Sequence, residues 1–276
     1  MTEIPYVRQP TEFSTPVRYA YGADSYPQPG VPCGTVREYE WSASRVFPGT
    51  RHRYWVYVPA HYTASKPASV MVFQDGWMYL DPEGAVRTGV VFDNLIHRRE
   101  MPITIGVFVD PGEPGNRNVE YDAFTDAYAT FLATEMLPDV RVSYRVTDDP
   151  DQWAVGGGSS GGSCAFTAAW VRPDRFRRVL SFLGSFAQLT GGNRYPELIH
   201  DTPKKPLRIF LQAATRDLNW GAAELNWFSA NLRVAAALAE RGYDLRLVVG
   251  DGGHDANHAG AILPDALRWL WRPKSR

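Results

Sequence analysis

Apolar residues along this chain fall into short runs separated by stretches in which they return at helical intervals. TVREYEW and RHRYWVYVP alternate apolar and polar positions, which predicts an antiparallel strand pair. SVMVFQD and ITIGVFVD are nearly unbroken apolar runs, the pattern of strands covered on both faces. Between them residues 87–97 read as helix, and after ITIGVFVD a long amphipathic helix is predicted over residues 122–140. QWAVG is a further strand, and CAFTAAWV forms the body of a helix closed near Pro173. VLSFLGSF, LRIFLQAA and DLRLVV complete the strands, with helices predicted over residues 224–241 and 259–271. Repeated strand-helix-strand units of this kind make an α/β domain, a mostly parallel sheet with helices on both faces. In such sheets reactive groups gather at the carboxyl ends of the strands.

The first 35 residues break the pattern. Pro5, Pro10, Pro16, Pro27, Pro29 and Pro32, interspersed with tyrosines, resist both helix and central strand, so residues 1–35 are expected to form an extended arm on a single domain spanning 36–276. A chain of 276 residues fits one large α/β unit. The net charge of -1 supplies no basic field for nucleic acid or an anionic membrane, which leaves small molecules, and a second copy of the chain, as expected partners. Cys33 and Cys164 are the only two cysteines, too few for a disulfide framework. MTEIPYVRQP carries no basic segment followed by an apolar run, so a cytoplasmic location is expected.

The stretch WAVGGGSSGGSCAF, residues 153–166, admits several readings. A linker would separate two self-contained patterns, whereas the strand-helix alternation runs through it unbroken. Gly156, Gly158 and Gly161 match a dinucleotide fingerprint, but the following strand VLSFLGSF ends in no acid to hold a ribose, and no Lys follows the glycines as a phosphate loop requires. The third reading is a nucleophile elbow, G-x-S-x-G, between a strand and a helix. It fits in two registers, with Ser159 or Ser160 as the nucleophile.

A nucleophilic serine on this sheet type needs, in chain order, an acid and then a histidine, each after a strand end. Asp217 follows LRIFLQAA, ahead of the rival acids Glu224, Asp251 and Asp255. Of the six histidines only His254 and His258 come after it, and His254 stands nearer a strand end behind Gly252 and Gly253. HDANH also resembles a zinc-peptidase pattern with Asp in place of Glu, so a metal-dependent hydrolase using His254 and His258 is the alternative chemistry. The glycine pair argues against a helix running through His254. A folded but catalytically inactive binding protein is the third alternative.

Taken together, these residues resemble the serine esterases that include enterobactin (enterochelin) esterases, feruloyl esterases and S-formylglutathione hydrolases. The resemblance runs from about Val36 to Trp271. It implies an α/β-hydrolase fold with a sheet of about eight strands and no organic or metal cofactor. Ser159-Ser160-Gly161-Gly162 is similar to the family's Ser-x-Gly-Gly, which makes Ser159 the nucleophile; Thr215-Arg216-Asp217 and Gly252-Gly253-His254 match its acid and base. FQDG, residues 73–76, resembles the turn that aims a backbone N–H of Trp77 or Gly76 at the substrate oxygen, beside the N–H of Ser160. Arg117-Asn118-Val119-Glu120 resembles a structural Arg-x-x-Glu loop of the family.

The segment between Phe186 and Leu207 is too short for a large lid domain, so an open cleft is expected. Aromatic residues make up 13% of the chain. Trp77, Trp220 and Trp227 follow or neighbour the reactive strand ends and are candidates to stack on an aromatic or sugar group.

Overall fold

The computed structural model describes residues 17–113 and 115–273. Eight strands form one sheet: β1 (Thr35–Trp41), β2 (His52–Val58), β3 (Ser69–Gln74), β4 (Thr104–Val109), β5 (Trp153–Gly158), β6 (Arg178–Phe182), β7 (Arg208–Ala214) and β8 (Asp244–Gly250). Their order is β1-β2-β4-β3-β5-β6-β7-β8. β1 and β2 pair antiparallel, β2 also runs antiparallel to β4, and all the remaining pairs are parallel. This is the α/β-hydrolase arrangement, with no large lid insertion between β6 and β7.

The helices are α1 (Trp77–Leu80), α2 (Thr88–His97), α3 (Arg117–Tyr121), α4 (Ala127–Phe131), α5 (Leu137–Ser143), α6 (Ser160–Val171), α7 (Tyr195–Asp201), α8 (Trp227–Glu240) and α9 (Ala256–Trp271). Every residue of β3, β4, β6 and β7 is buried, as their apolar runs require, whereas β1 and β8 at the two edges are largely open. Because side chains alternate across a pleated strand, each run feeds two cores. Val70, Val72, Val155 and Ile209 pack with Phe131, Phe166, Val234 and Leu238 on one face. Met71, Phe73, Leu180 and Phe210 pack with Phe92, Leu95, Leu263 and Leu267 on the other.

The helix predicted over 122–140 is a correction. It begins at Ala127, widens into a π turn over Leu132–Met136, and continues as Leu137–Ser143. Pro138 has no N–H to offer the preceding turn and its ring crowds a carbonyl there, so the backbone opens by one residue rather than breaking. None of the described helices is long and apolar enough to cross a membrane.

Of the arm predicted over 1–35, residues 1–16 lie outside the described residues. From residue 17 the arm lies across the α2 and α9 side. Asn94 Nδ2 donates to the carbonyls of Asp24 and Tyr26, each at 2.9 Å, Tyr21 donates to Ala85 O, and the Arg87 guanidinium stacks on Tyr21 and Tyr26. The far end of α9 is fixed separately, where Arg208 Nη1 donates to Leu270 O at 3.0 Å and Arg178 donates to the same carbonyl. Cations are favoured at that carbonyl-rich helix end. Burial first, and then the neighbouring Arg208, push Arg178 down to about 10.

Candidate active site

Parallel pairing brings the ends of β3, β5, β7 and β8 to one edge of the sheet, so the turns after them are neighbours although far apart in sequence. Ser159 occupies the turn after β5 with φ 59° and ψ -131°, a strained backbone for a residue with a Cβ. Its N–H donates to Phe182 O at 2.9 Å, and its carbonyl accepts from Gly162 and Ser163 in the first turn of α6 and from Ser185. The strain is therefore held from β6, from the loop that follows it and from α6.

The glycines around it do different jobs. A Cβ on Gly157 would lie 2.5 Å from the carbonyl oxygen of Gly161, and one on Gly162 would lie 2.9 Å from Ser181 Oγ and 3.0 Å from Phe182 O. One on Gly158 would meet nothing closer than 3.4 Å. Close approach of strand to helix thus demands glycine at 157 and 162, and leaves space at 158.

The two serines part here. Ser160 is buried at the first position of α6, its side chain turned to Asp122, a carboxyl that burial raises above its ordinary value and the contact with Ser160 lowers. Ser159 instead borders a cavity of about 250 Å³ whose wall also holds His254, Gly158, Tyr79, Arg117 and Phe182. Among the described residues the Ser159 hydroxyl has no hydrogen-bond partner.

His254 stands in the turn between β8 and α9, with its ring one quarter exposed, and its Nδ1 donates to Asp217 Oδ1 at 2.6 Å. A carboxylate acceptor fixes that nitrogen as the protonated one and leaves Nε2 as a base. The Asp217 side chain is fully buried, and the N–H of Leu218 donates to the same oxygen at 2.8 Å. His258 is drawn elsewhere, into the first turns of α9, where its Nδ1 lies 3.0 Å from Gln212 Nε2. No group of three metal-ligating side chains forms among the described residues. The pairing of His254 and His258 on one metal, raised from HDANH, is thus not what the fold builds.

Three further expectations need correcting. The Gly76 N–H donates to Val109 O at 3.2 Å, and that of Trp77 to Asp110 Oδ1 at 3.0 Å, so both are already engaged. The N–H of Ser160, at the start of α6, has no acceptor among the described residues and carries the positive end of the helix dipole. Trp227 is not open to a ligand: it is 2% exposed and packs edge-on against His254 with ring centroids 5.0 Å apart. Trp77 and Trp220 are exposed, as their candidacy required, though neither lines the cavity.

In the Arg117–Glu120 loop, expected to be structural, Glu120 is so: fully buried, it accepts from His52 Nε2, Gly112 N and Asn116 Nδ2 through one oxygen. Arg117 has a second face. It grips Asp75 through two bonds of 2.8 and 2.7 Å, bracing the turn after β3 at a residue with positive φ, and it also borders the cavity. No periodicity marks that second role.

Residues 46–270 match the family described as "Putative esterase". The chain belongs to this esterase family. The iron(III) enterobactin esterase of Escherichia coli O6:H1 (strain CFT073) is 28% identical over 252 residues, covering 89% of this chain and 59% of that protein. The chain spans about three-fifths of the length of the curated Escherichia coli relatives that it matches. The crystal structure of the Shigella flexneri enterobactin esterase in the presence of enterobactin superposes with a TM-score of 0.75 at 25% identity, over 91% of this chain and 61% of that one. A ferulic acid esterase shares the fold at a TM-score of 0.68 and 21% identity, over 87% of this chain and 98% of its own.

Proposed function

We propose that this member of the esterase family is a serine carboxylic-ester hydrolase that works through an acyl-enzyme on Ser159. The observation that carries the reading is the 2.6 Å bond between His254 Nδ1 and Asp217 Oδ1, at a cavity His254 shares with a serine in strained elbow backbone. His254 Nε2 takes the hydroxyl proton as Ser159 Oγ attacks the ester carbonyl, and the resulting oxyanion accepts from the Ser160 N–H. Trp77 adds its N–H only by giving up Asp110. Collapse of the intermediate breaks the ester C–O bond, and the alcohol leaves with the proton from His254. Water, deprotonated by the same nitrogen, then attacks the acyl-enzyme; the acid is released and Ser159 regains its proton. Asp217 keeps the imidazole tautomer fixed and stabilises the imidazolium in both halves.

The cavity favours an aryl ester or lactone. Met78, Val86, Phe182 and Leu183 give it apolar walls, Arg117 is the one cationic side chain among its lining residues, and about 250 Å³ suits a single substituted ring. A guanidinium already paired with Asp75, with Asp255 also on the wall, suits a ring bearing hydroxyl oxygens more than one bearing acidic ones. The relatives named for enterobactin, and the neighbouring structure solved in its presence, support a siderophore-type ester.

Hydrolysis of aryl, lactone and short acyl esters by the wild type and by Ser159→Ala tests the reading. The variant is expected to lose about 10⁴-fold or more in kcat. An organophosphonate should label Ser159. Hydrolysis retained by Ser159→Ala, a label on Ser160, or activity abolished by a chelator would each overturn it.

A further inference from the structure

Tyr19 belongs to the arm, outside residues 46–270 that match the family. Its hydroxyl accepts from the N–H of Asp251 at 2.6 Å and donates to the carbonyl of the same residue at 3.1 Å. Its own backbone is matched by the side-chain amide of Asn257: Tyr19 N donates to Oδ1 at 2.7 Å and Asn257 Nδ2 donates to Tyr19 O at 3.1 Å. The Tyr19 ring stacks on His258 with centroids 4.0 Å apart and planes 18° from parallel. Val17 closes over Gly252, where an added Cβ would lie 3.2 Å from Val17 Cβ.

Asp251 and Asn257 bracket His254 in sequence, and a single arm residue holds both. The turn between them otherwise makes backbone bonds to the Asp217 side: Thr215 N donates to Gly250 O and Arg216 N to Gly252 O, each at 2.9 Å. Gly252, at φ +99°, and Gly253 leave the turn few side-chain contacts of its own. A base must be held close to its productive position for proton transfer, and small displacements are expensive in rate. We propose that Tyr19 is a positioning residue for His254, a latch through which the arm fixes the β8–α9 turn. The proposal rests on the hydrolase reading for its kinetic consequence, but not for its structural one.

Tyr19→Phe removes the hydroxyl and keeps the ring on His258. It is expected to lower kcat on an aryl ester about tenfold with KM within about twofold, and to shift the basic group's limb in the pH profile of kcat/KM. Tyr21→Phe, which loses one arm bond to Ala85 O without touching the turn, serves as the control and should keep wild-type kcat. Hydrogen exchange of the amides in residues 251–257 should quicken about fivefold or more in Tyr19→Phe and stay unchanged in the control. Wild-type kcat and wild-type exchange in Tyr19→Phe would overturn the latch, as would a lowered Tm with kcat and the pH limb unmoved. If the wild type hydrolyses no ester, the hydrolase reading fails, and the exchange measurement alone judges the latch.

Discussion

The turn that carries Ser159 and the turn that carries His254 stand side by side, and they are made rigid by opposite means. The serine turn is held from within: two glycines let strand and helix approach until no Cβ fits, and three N–H groups converge on the Ser159 carbonyl. The histidine turn is loose in itself, exposed at Gly253 and His254, and takes its order from Asp217 below, Trp227 at its side and Tyr19 from the arm. A nucleophile under backbone strain needs a support that cannot relax. A base that receives and returns a proton needs its tautomer and direction fixed more than its backbone, and buried side-chain partners supply that.

The largest expected effect breaks the second kind of support alone. Asp217→Asn keeps the shape of the turn but no longer requires a proton on His254 Nδ1, so the base can present the wrong tautomer. A fall in kcat of about 10³- to 10⁴-fold is expected. KM and the Tm should change little, and steady-state kinetics with thermal melts would check all three. A loss under tenfold would show that Asp217 does not orient the base.

The next effect strikes the serine turn. Gly157→Ala places a methyl 2.5 Å from a backbone oxygen that cannot swing aside, whereas Gly158→Ala makes ordinary contacts with the Tyr79 hydroxyl at 3.4 Å and Phe182 O at 3.7 Å. Urea unfolding should find the first destabilised by about 3 kcal/mol and the second within about 0.5 kcal/mol of wild type. Equal costs would mean that the turn is adaptable, and the contrast between the two loops would fail.

This difference also explains what was legible in the sequence. The elbow announces itself because steric demand between neighbouring residues selects glycine locally, and the strands because burial on both faces selects apolar runs. The proposed order Ser159, Asp217, His254 was legible because parallel pairing of β3 to β8 puts the carboxyl ends of those strands at one edge. Choosing between Ser159 and Ser160 lay beyond the spacing itself, since both fit it; the strained backbone and cavity position of Ser159, and the burial of Ser160 beside Asp122, separate them in the fold. The same holds for the Trp77 N–H, taken by an Asp110 from another strand end, and for Trp227, whose helix face turns it under His254. The Tyr19 latch spans 232 residues to Asp251, and no local pattern encodes a contact that long.

The smallest effect concerns pH and again separates the turns. Burial lowers the pKa of His258, with the Asp251 charge opposing, so the folded state favours the neutral ring that stacks on Tyr19 and meets Gln212. In the unfolded chain the ring protonates near its ordinary value of 6.5. The unfolded state therefore binds more protons below that value, and the stability contributed by neutral His258 is full above 6.5 and lost as pH falls from there through the lowered folded value. The slope is bounded at about 1.4 kcal/mol per pH unit for one proton. His258→Asn removes the titration, so its urea midpoint should vary less than that of the wild type between about pH 6.5 and 5. Hydrogen exchange should place the acid loosening in residues 251–257 and leave 157–163 unchanged, because the contacts of His258 are with Tyr19 and Gln212. Equal loosening of both turns would mean that they open as one unit, and the separate supports described above would then be a single one.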